Sequence, residues 1–386
     1  ARGAWGRLVD AAIAEDVRLV LLTGDVADGA NRFWEAIGPL EAGIRRLAAA
    51  GIRTVAVSGN HDHEALPRLA GQLDPEQFRL LGRGGVWERW TLEEDGRPLL
   101  HVDGWSFPAE RVRHSPVESY RPEPAGDVPV LAMVHGDLDV PASPYAPLAR
   151  AELLARPVAG WLLGHIHAPL LDESDGRPFI MYPGSPQALD PGEPGPHGAV
   201  RLEVRGDRVV PTARLPISTV RYDEVAVDVS AAEQIGDLDR ILLAALEAHA
   251  AAVAAEGGEP LRLASVRLRL TGRTPLAGAI RAEAARIAED LQLPAAGVRV
   301  LVDRVVTDLR PAIDLAEQSR ASTPPGRLAQ LLLELDEGTP TEACSESTRA
   351  LLAEAGRRIA SVRASTVYRR DRDPETGADP SHAQVR

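Results

Sequence analysis

The sequence predicts an α/β fold, because helical and strand patterns alternate along its first half. Residues 5–16 carry apolar side chains at helical spacing, and residues 17–23 follow as a short, almost wholly apolar run that ends at Gly24. Residues 33–50 and 52–57 repeat the same order of helix and apolar run. Short runs of this kind are typical of strands that are buried on both faces of a sheet. Helices and buried strands in alternation predict a layered α/β domain.

Further apolar segments predict the rest of the sheets. They span residues 86–92, 99–102, 128–134, 159–163 and 179–182. A hairpin of residues 199–204 and 208–214, which turns at Gly206 and Asp207, closes the layer. These segments place the first domain at residues 1–216.

The character of the chain changes after the hairpin, where Ala-rich helical segments alternate with strand-like ones. Residues 237–255 and 276–291 are predicted helices, and residues 263–270 and 298–306 are predicted strands. We therefore expect a second, smaller α+β domain over residues 217–321.

The C-terminal part of the chain reads as a docking region followed by a tail. Residues 322–326 are typical of a linker. Residues 327–336 and 345–362 are predicted amphipathic helices whose apolar faces are too small to fold alone, so we expect the region 322–368 to dock on a partner. Residues 369–386 are polar, with Pro and Gly, and are expected to be disordered.

Composition excludes several classes of protein. No apolar run approaches the roughly 20 residues that cross a bilayer, and the first residues lack a signal pattern, so we expect a cytoplasmic protein with no membrane contact. Cys344 is the only cysteine, which excludes a thiolate cluster and leaves nitrogen and oxygen ligands for any metal. The net charge of −13 argues against DNA binding by the whole surface and leaves room only for a local basic groove.

Three short polar motifs and one histidine follow the predicted strands. They are Gly24-Asp25-Val26-Ala27-Asp28, Gly59-Asn60-His61-Asp62, His135, and Gly164-His165-Ile166-His167. Any one of these motifs is ordinary turn chemistry. In combination they bring four histidines, an Asp and an Asn to the carboxyl ends of strands, where α/β sheets bind ligands. The combination therefore predicts a metal site.

With these motifs the chain resembles the calcineurin-like metallophosphoesterases. Their pattern is an Asp-x-His, a Gly-Asp-x-x-Asp, a Gly-Asn-His-Asp/Glu, a single His and a Gly-His-x-His, of which the last four are present. The segments at residues 103–107, 145–147, 183–187 and 194–198 also resemble the SbcD-type bacterial DNA repair exonucleases, in particular their YhaO-like branch. The resemblance implies a metallophosphoesterase sandwich of mixed sheets flanked by helices, with a smaller α+β cap domain and C-terminal helices.

The resemblance also implies a site for two divalent metal ions. Asp25 would bridge the two ions, and Asn60, His135 and His165 would complete one of them. His167 would bind the other ion. Neutral imidazoles suit Mn, Fe or Zn, and we expect Mn.

The catalytic assignments come from the same resemblance. His61 corresponds to the histidine that stabilises the transition state or protonates the leaving oxygen. Asp62 would orient the His61 ring, and Asp28 would support the metal ligands without binding the metal itself. Asp137 and Asp139 are candidates to tune His135, although a solvated loop is the favoured interpretation. The remaining histidines are predicted to be surface or packing residues, and they are His63, His101, His114, His197, His249 and His382.

One part of the family pattern is not found in this sequence. No Asp-x-His lies near residue 1, so we expect that the first strand and its loop are missing through truncation. The second ion would then keep only Asp25 and His167, and this form would be nearly inactive until the strand is restored.

Three functions are compatible with the sequence. The favoured one is a metal-dependent DNA nuclease that hydrolyses phosphodiesters in DNA repair, with an SbcC-like coiled-coil ATPase as partner. The alternatives are another metallophosphoesterase, such as a protein phosphatase or a cyclic-nucleotide phosphodiesterase, and a non-catalytic scaffold subunit. A homodimer is kept open as a further assembly.

Overall fold

The structure is a computed structural model, and it describes residues 3–27, 33–173, 178–256, 261–312 and 314–336, with single positions at 346, 350, 354, 357 and 358. Its contacts divide the chain into two compact units, Ala1–Arg310 and Pro311–Arg386. Among the described residues, no helix is both long enough and apolar enough to cross a membrane.

The chain begins with a small parallel sheet and the helices that pack on it. The strands lie in the order β1-β2-β3. Apolar helix residues such as Val9, Ile44 and Leu66 are fully buried against them, because each amphipathic helix turns its apolar face to the sheet. The elements are α1 (Ala4–Ala14), β1 (Leu19–Leu22), α2 (Phe33–Ala49), β2 (Arg53–Ala56), α3 (Ala65–Ala70) and β3 (Phe78–Leu80).

A six-stranded mixed sheet lies against the first one. Its order is β4-β5-β6-β7-β9-β8, with β5, β6, β7 and β9 parallel and the two edge strands antiparallel. Val55 and Val57 from the first sheet share a buried cluster with Leu131, Met133 and Leu162 from the second, so the two sheets form a sandwich. The elements are β4 (Glu88–Glu94), β5 (Arg97–Trp105), β6 (Val130–His135), α4 (Arg150–Leu154), β7 (Gly160–Gly164), β8 (Leu170–Asp172) and β9 (Phe179–Tyr182).

The predicted hairpin is formed by β10 (Gly198–Arg205) and β11 (Arg208–Pro216). Val209 is buried in the cluster between the sheets, and Val200 and Leu202 pack against that cluster. The expected fold, mixed α/β sheets flanked by helices, is confirmed.

A four-stranded sheet with two helices follows. Its order is β12-β13-β15-β14, and α5 connects the parallel neighbours β12 and β13. Alternate residues of β13, such as Val266 and Leu268, are fully buried, as are Leu242 and Leu246 one turn apart on α5. The elements are β12 (Val220–Asp228), α5 (Asp237–Ala255), β13 (Leu263–Thr274), α6 (Ala277–Asp290), β14 (Gln292–Ala295) and β15 (Val298–Pro311).

The second unit contains α7 (Leu315–Gln318) and α8 (Pro324–Asp336) among its described residues. The predicted linker at residues 322–326 was wrong from Pro324 onward, because α8 begins there. Proline is well suited to the first turn of a helix, where its missing N–H has no partner to lose. The predicted helix at residues 345–362 and the tail at residues 369–386 lie outside the described residues except for isolated positions.

Candidate metal centre

Polar side chains from both sheets meet at the carboxyl ends of their strands. Asp25 follows β1, Asn60 follows β2, His135 ends β6 and His165 follows β7. His135 lies opposite Gly164 in the register of β6 with β7, so His165 comes directly after its neighbour. The two sheets are therefore joined at this edge by residues that a metal can bind.

Asp25, His135 and His165 form the centre of this cluster. One candidate ligand atom from each lies within 4.8 Å of the other two. His135 Nε2 is 3.0 Å from Asp25 Oδ2 and 3.2 Å from Asn60 Oδ1. The His135 side chain is fully buried, whereas those of Asp25 and His165 keep 19% of their surface exposed. The cluster is therefore buried at His135 and accessible to solvent at Asp25 and His165.

The hydrogen bonding of His135 tests whether a cation fits. His135 Nδ1 lies 3.0 Å from the carbonyl oxygen of Thr23, which can only accept, so Nδ1 carries a proton. Nε2 faces the oxygens of Asp25 and Asn60, where a metal could replace a proton on that nitrogen. This set of nitrogen and oxygen atoms suits a first-row divalent metal.

Electrostatics keeps the ligands in the protonation state that binds metal. Burial raises the pKa of Asp25, but its interaction with His135 and the hydrogen bond from the His61 N–H outweigh burial and hold that pKa below its ordinary value. Burial, followed by the neighbouring His135, lowers the pKa of His165. A carboxylate and a neutral imidazole are the forms that coordinate cations.

Two of the ligand positions have strained backbone. Asp25 has a φ of 52° and His165 a φ of 98°, in the left-handed region that side chains other than Gly rarely adopt. Such conformations cost on the order of 1–3 kcal/mol and persist only where the surrounding structure enforces them. Here the His61 N–H donates to Asp25 Oδ1 at 2.9 Å and helps to hold that side chain.

The motif glycines Gly59 and Gly164 are required by close packing. A Cβ atom on Gly59 would lie 2.2 Å from Asp25 Oδ1 and 2.6 Å from His135 Cε1. A Cβ atom on Gly164 would lie 1.9 Å from the Thr23 carbonyl oxygen and 2.6 Å from His135 Nδ1. Both glycines therefore let the backbone close around the buried His135 ring.

Asp62 joins the loops that carry Asp25 and Asn60. It is fully buried, and its two oxygens accept hydrogen bonds from Gly59 N at 2.7 Å and Val26 N at 2.8 Å. Burial and the nearby Asp25 raise the pKa of Asp62 to about 6. The expected role of Asp62 in orienting the His61 ring stays a prediction.

His167 lies outside the group of three ligands. Its side chain is 50% exposed, and its Nδ1 is 2.5 Å from Glu193 Oε1. Its assignment to a second ion stays a prediction. Asp28, predicted to support the ligands, lies outside the described residues.

Two carboxylates touch candidate ligands in ways that the sequence did not predict. Asp137 lies 3.3 Å from His165 Nε2, so the structure pairs it with that histidine and not with His135 two residues before it. Glu193 contacts His167 although 26 residues separate them. Asp137 was a candidate because it follows His135 in the chain, whereas Glu193 belongs to no polar motif at a strand end and was missed.

Comparisons with known proteins agree with this geometry. Residues 2–169 match the calcineurin-like phosphoesterase family, and residues 222–310 match the middle domain of metallophosphoesterase YhaO. The chain is similar to the "Uncharacterized metallophosphoesterase YhaO" of Bacillus subtilis, with 30% identity over 59% of this chain and 55% of that protein. It is also similar to the "DNA double-strand break repair protein Mre11" of Methanopyrus kandleri, with 26% identity over 47% of this chain and 43% of that protein. The chain thus spans about half the length of the curated relatives it matches.

Proposed function

We propose that this chain is a metal-dependent nuclease that hydrolyses phosphodiester bonds in DNA, because residues 2–169 match the calcineurin-like phosphoesterase family and residues 222–310 match the YhaO middle domain. The match to that phosphoesterase family implies hydrolase activity. The observation that carries the proposal is the convergence of Asp25, His135 and His165 within 4.8 Å at the strand ends.

The residues present fit divalent ions, which we take to be Mn. Asp25 and His135, with Asn60 beside them, form one set of ligands together with His165. His167 is assigned to a second ion. Ions in such a set supply charge neutralisation at the phosphate and an activated water for in-line displacement.

His61 is the proposed catalytic residue. Its backbone N–H donates to Asp25, and its side chain is exposed. An imidazole there can hold a proton on a ring nitrogen and deliver it to the leaving oxygen of a bound phosphodiester. Because Asp62 holds the loop that bears His61 at Gly59, the ring starts from a fixed backbone.

DNA as substrate and an SbcC-like ATPase as partner are further parts of the proposal. The similarity to a protein named for repair of DNA double-strand breaks supports DNA. On α8, Leu328 and Leu332 are 55% and 40% exposed and lie one turn apart, which is the pattern of a helix that docks on another. We therefore assign the partner contact to residues 322–368.

The test measures bound Mn and cleavage of three substrates by the same preparation. The substrates are linear double-stranded DNA, a chromogenic phosphodiester and a chromogenic phosphomonoester, each with Mn, with Mg and with chelator. We expect DNA and diester cleavage that requires Mn.

Three histidine variants assign the roles. His135→Ala should lose Mn and activity together, whereas His61→Ala should retain Mn and lose activity. His114→Ala, an exposed histidine on a loop, is the matched control and should change neither. Cleavage of the monoester alone would favour a phosphatase, and Mn binding without any turnover would favour a scaffold subunit, so either result would contradict the nuclease assignment.

A further inference from the structure

We propose that Glu193 is a positioning residue that fixes the ring of His167 for metal binding. The proposal rests on the proposed function, in that His167 is taken as a ligand of the second ion. It concerns a residue outside the motifs, on the loop between β9 and β10.

The Glu193 carboxylate is buried, and both of its oxygens are engaged. It is 8% exposed, with Oε1 at 2.5 Å from His167 Nδ1. Its Oε2 accepts hydrogen bonds from Leu189 N at 2.9 Å and from Ser185 Oγ at 3.2 Å. Both oxygens of the carboxylate are therefore occupied by hydrogen-bond partners.

A carboxylate at Nδ1 determines which nitrogen of His167 can bind a metal. A carboxylate that accepts a hydrogen bond from Nδ1 places the proton of the neutral ring there and leaves Nε2 as the nitrogen with the lone pair. The His167 side chain is 50% exposed, so burial alone does not hold its orientation. The contact with Glu193 therefore supplies both the tautomer and the ring orientation that a ligand needs.

The loop that carries Glu193 is fixed at two further points. Ser185 N donates to the carbonyl oxygen of His167 at 2.9 Å, which ties the start of the loop to the His167 backbone. Two residues beyond Glu193, Gly195 N donates to the carbonyl oxygen of Tyr222 on β12 at 2.8 Å. The carboxylate is thus held between the His167 backbone and the four-stranded sheet, so it has little freedom to follow a misplaced ring.

The first experiment is independent of metal. Nitrogen-15 NMR of the histidine rings in the metal-free protein reports which nitrogen of each neutral ring is protonated. We expect the Nδ1–H form for His167, and a shift toward the Nε2–H form in Glu193→Gln. The same tautomer in both proteins would overturn the proposal, whether or not the protein binds Mn.

The second experiment measures Mn affinity by electron paramagnetic resonance of the free ion, in a double-mutant cycle of Glu193→Gln with His167→Ala. We expect Glu193→Gln to weaken Mn binding by about 10–100-fold, as substitutions of carboxylates behind ligand histidines do. With His167→Ala already present, the same substitution should have no further effect. Glu203→Gln is the matched control, since its carboxylate pairs with Arg201 and Arg205, and it should bind Mn as the unchanged protein does.

The cycle separates this proposal from the nuclease assignment. An equal loss in both backgrounds would mean that Glu193 acts through the fold of its loop and would refute a role through His167, as would an unchanged affinity in Glu193→Gln. Failure of the unchanged protein to bind Mn would refute the proposed function, while the tautomer measurement would still decide whether Glu193 sets the state of His167.

Discussion

Replacing Gly59 by alanine would place a Cβ atom 2.2 Å from Asp25 Oδ1 and 2.6 Å from His135 Cε1. These separations are shorter than the 3.4 Å of an ordinary contact by 1.2 and 0.8 Å. His135 is fully buried and bonded to Thr23, so it cannot move aside at low cost. One or both ligands must then shift by close to the missing distance, whereas functional groups tolerate only about 0.5 Å.

The substitution should cost little stability but much of the Mn affinity. Overpacking of this kind destabilises a domain by about 1–3 kcal/mol, a fraction of the roughly 5–15 kcal/mol that holds a domain folded. The protein should therefore remain folded at 25 °C. Mn affinity should nevertheless fall by about 10–100-fold, because ligand placement is what the new methyl group disturbs.

The assay combines urea unfolding with Mn titration. All six tryptophans lie at or before residue 161, so their fluorescence reports the unfolding of the sandwich and not of the four-stranded sheet. Gly6→Ala is the matched control, since a Cβ atom there meets nothing within 4 Å and alanine favours the helix α1 by about 0.5–1 kcal/mol. If Gly59→Ala bound Mn as tightly as the control, the packing of Gly59 on the two ligands would not set the geometry of the site.

Two further substitutions test other buried contacts. Asp62→Ala leaves the N–H groups of Gly59 and Val26 without their acceptor, so we expect a loss of about 1–3 kcal/mol in the free energy of unfolding and weaker Mn binding. Unchanged Mn affinity with reduced turnover would instead favour the role of Asp62 on His61. Tyr120→Phe removes the hydrogen bond of 2.7 Å from the buried Tyr120 hydroxyl to Asp103, so we expect the sandwich to lose about 1.5–3 kcal/mol by tryptophan fluorescence. Mn binding should not change in that variant, because neither Tyr120 nor Asp103 is a proposed ligand. A weakened Mn affinity would contradict this expectation.

Local patterns in the sequence predicted most of the fold. The strands β6 and β7 are buried at every position, and uninterrupted apolar runs in the sequence predicted both. Short or charged strands gave no such signal. β3 has only three residues. β12 carries Arg221 and Asp223, whose charges interrupt its apolar pattern. The two side chains are largely buried because they pair with each other.

The sequence by itself determined which side chains stand at the strand ends, because a buried strand and its polar turn are local features of the chain. Tertiary structure decided what those side chains touch. The partner of His135 Nδ1 lies 112 residues away at Thr23, and Glu193 reaches His167 across 26 residues. Asp137 contacts His165, which follows the neighbouring strand β7, and not His135, which is two residues away in the chain. Contacts of this kind depend on sheet register and loop path, which are fixed by the packing of the whole domain and leave no periodic pattern in the sequence.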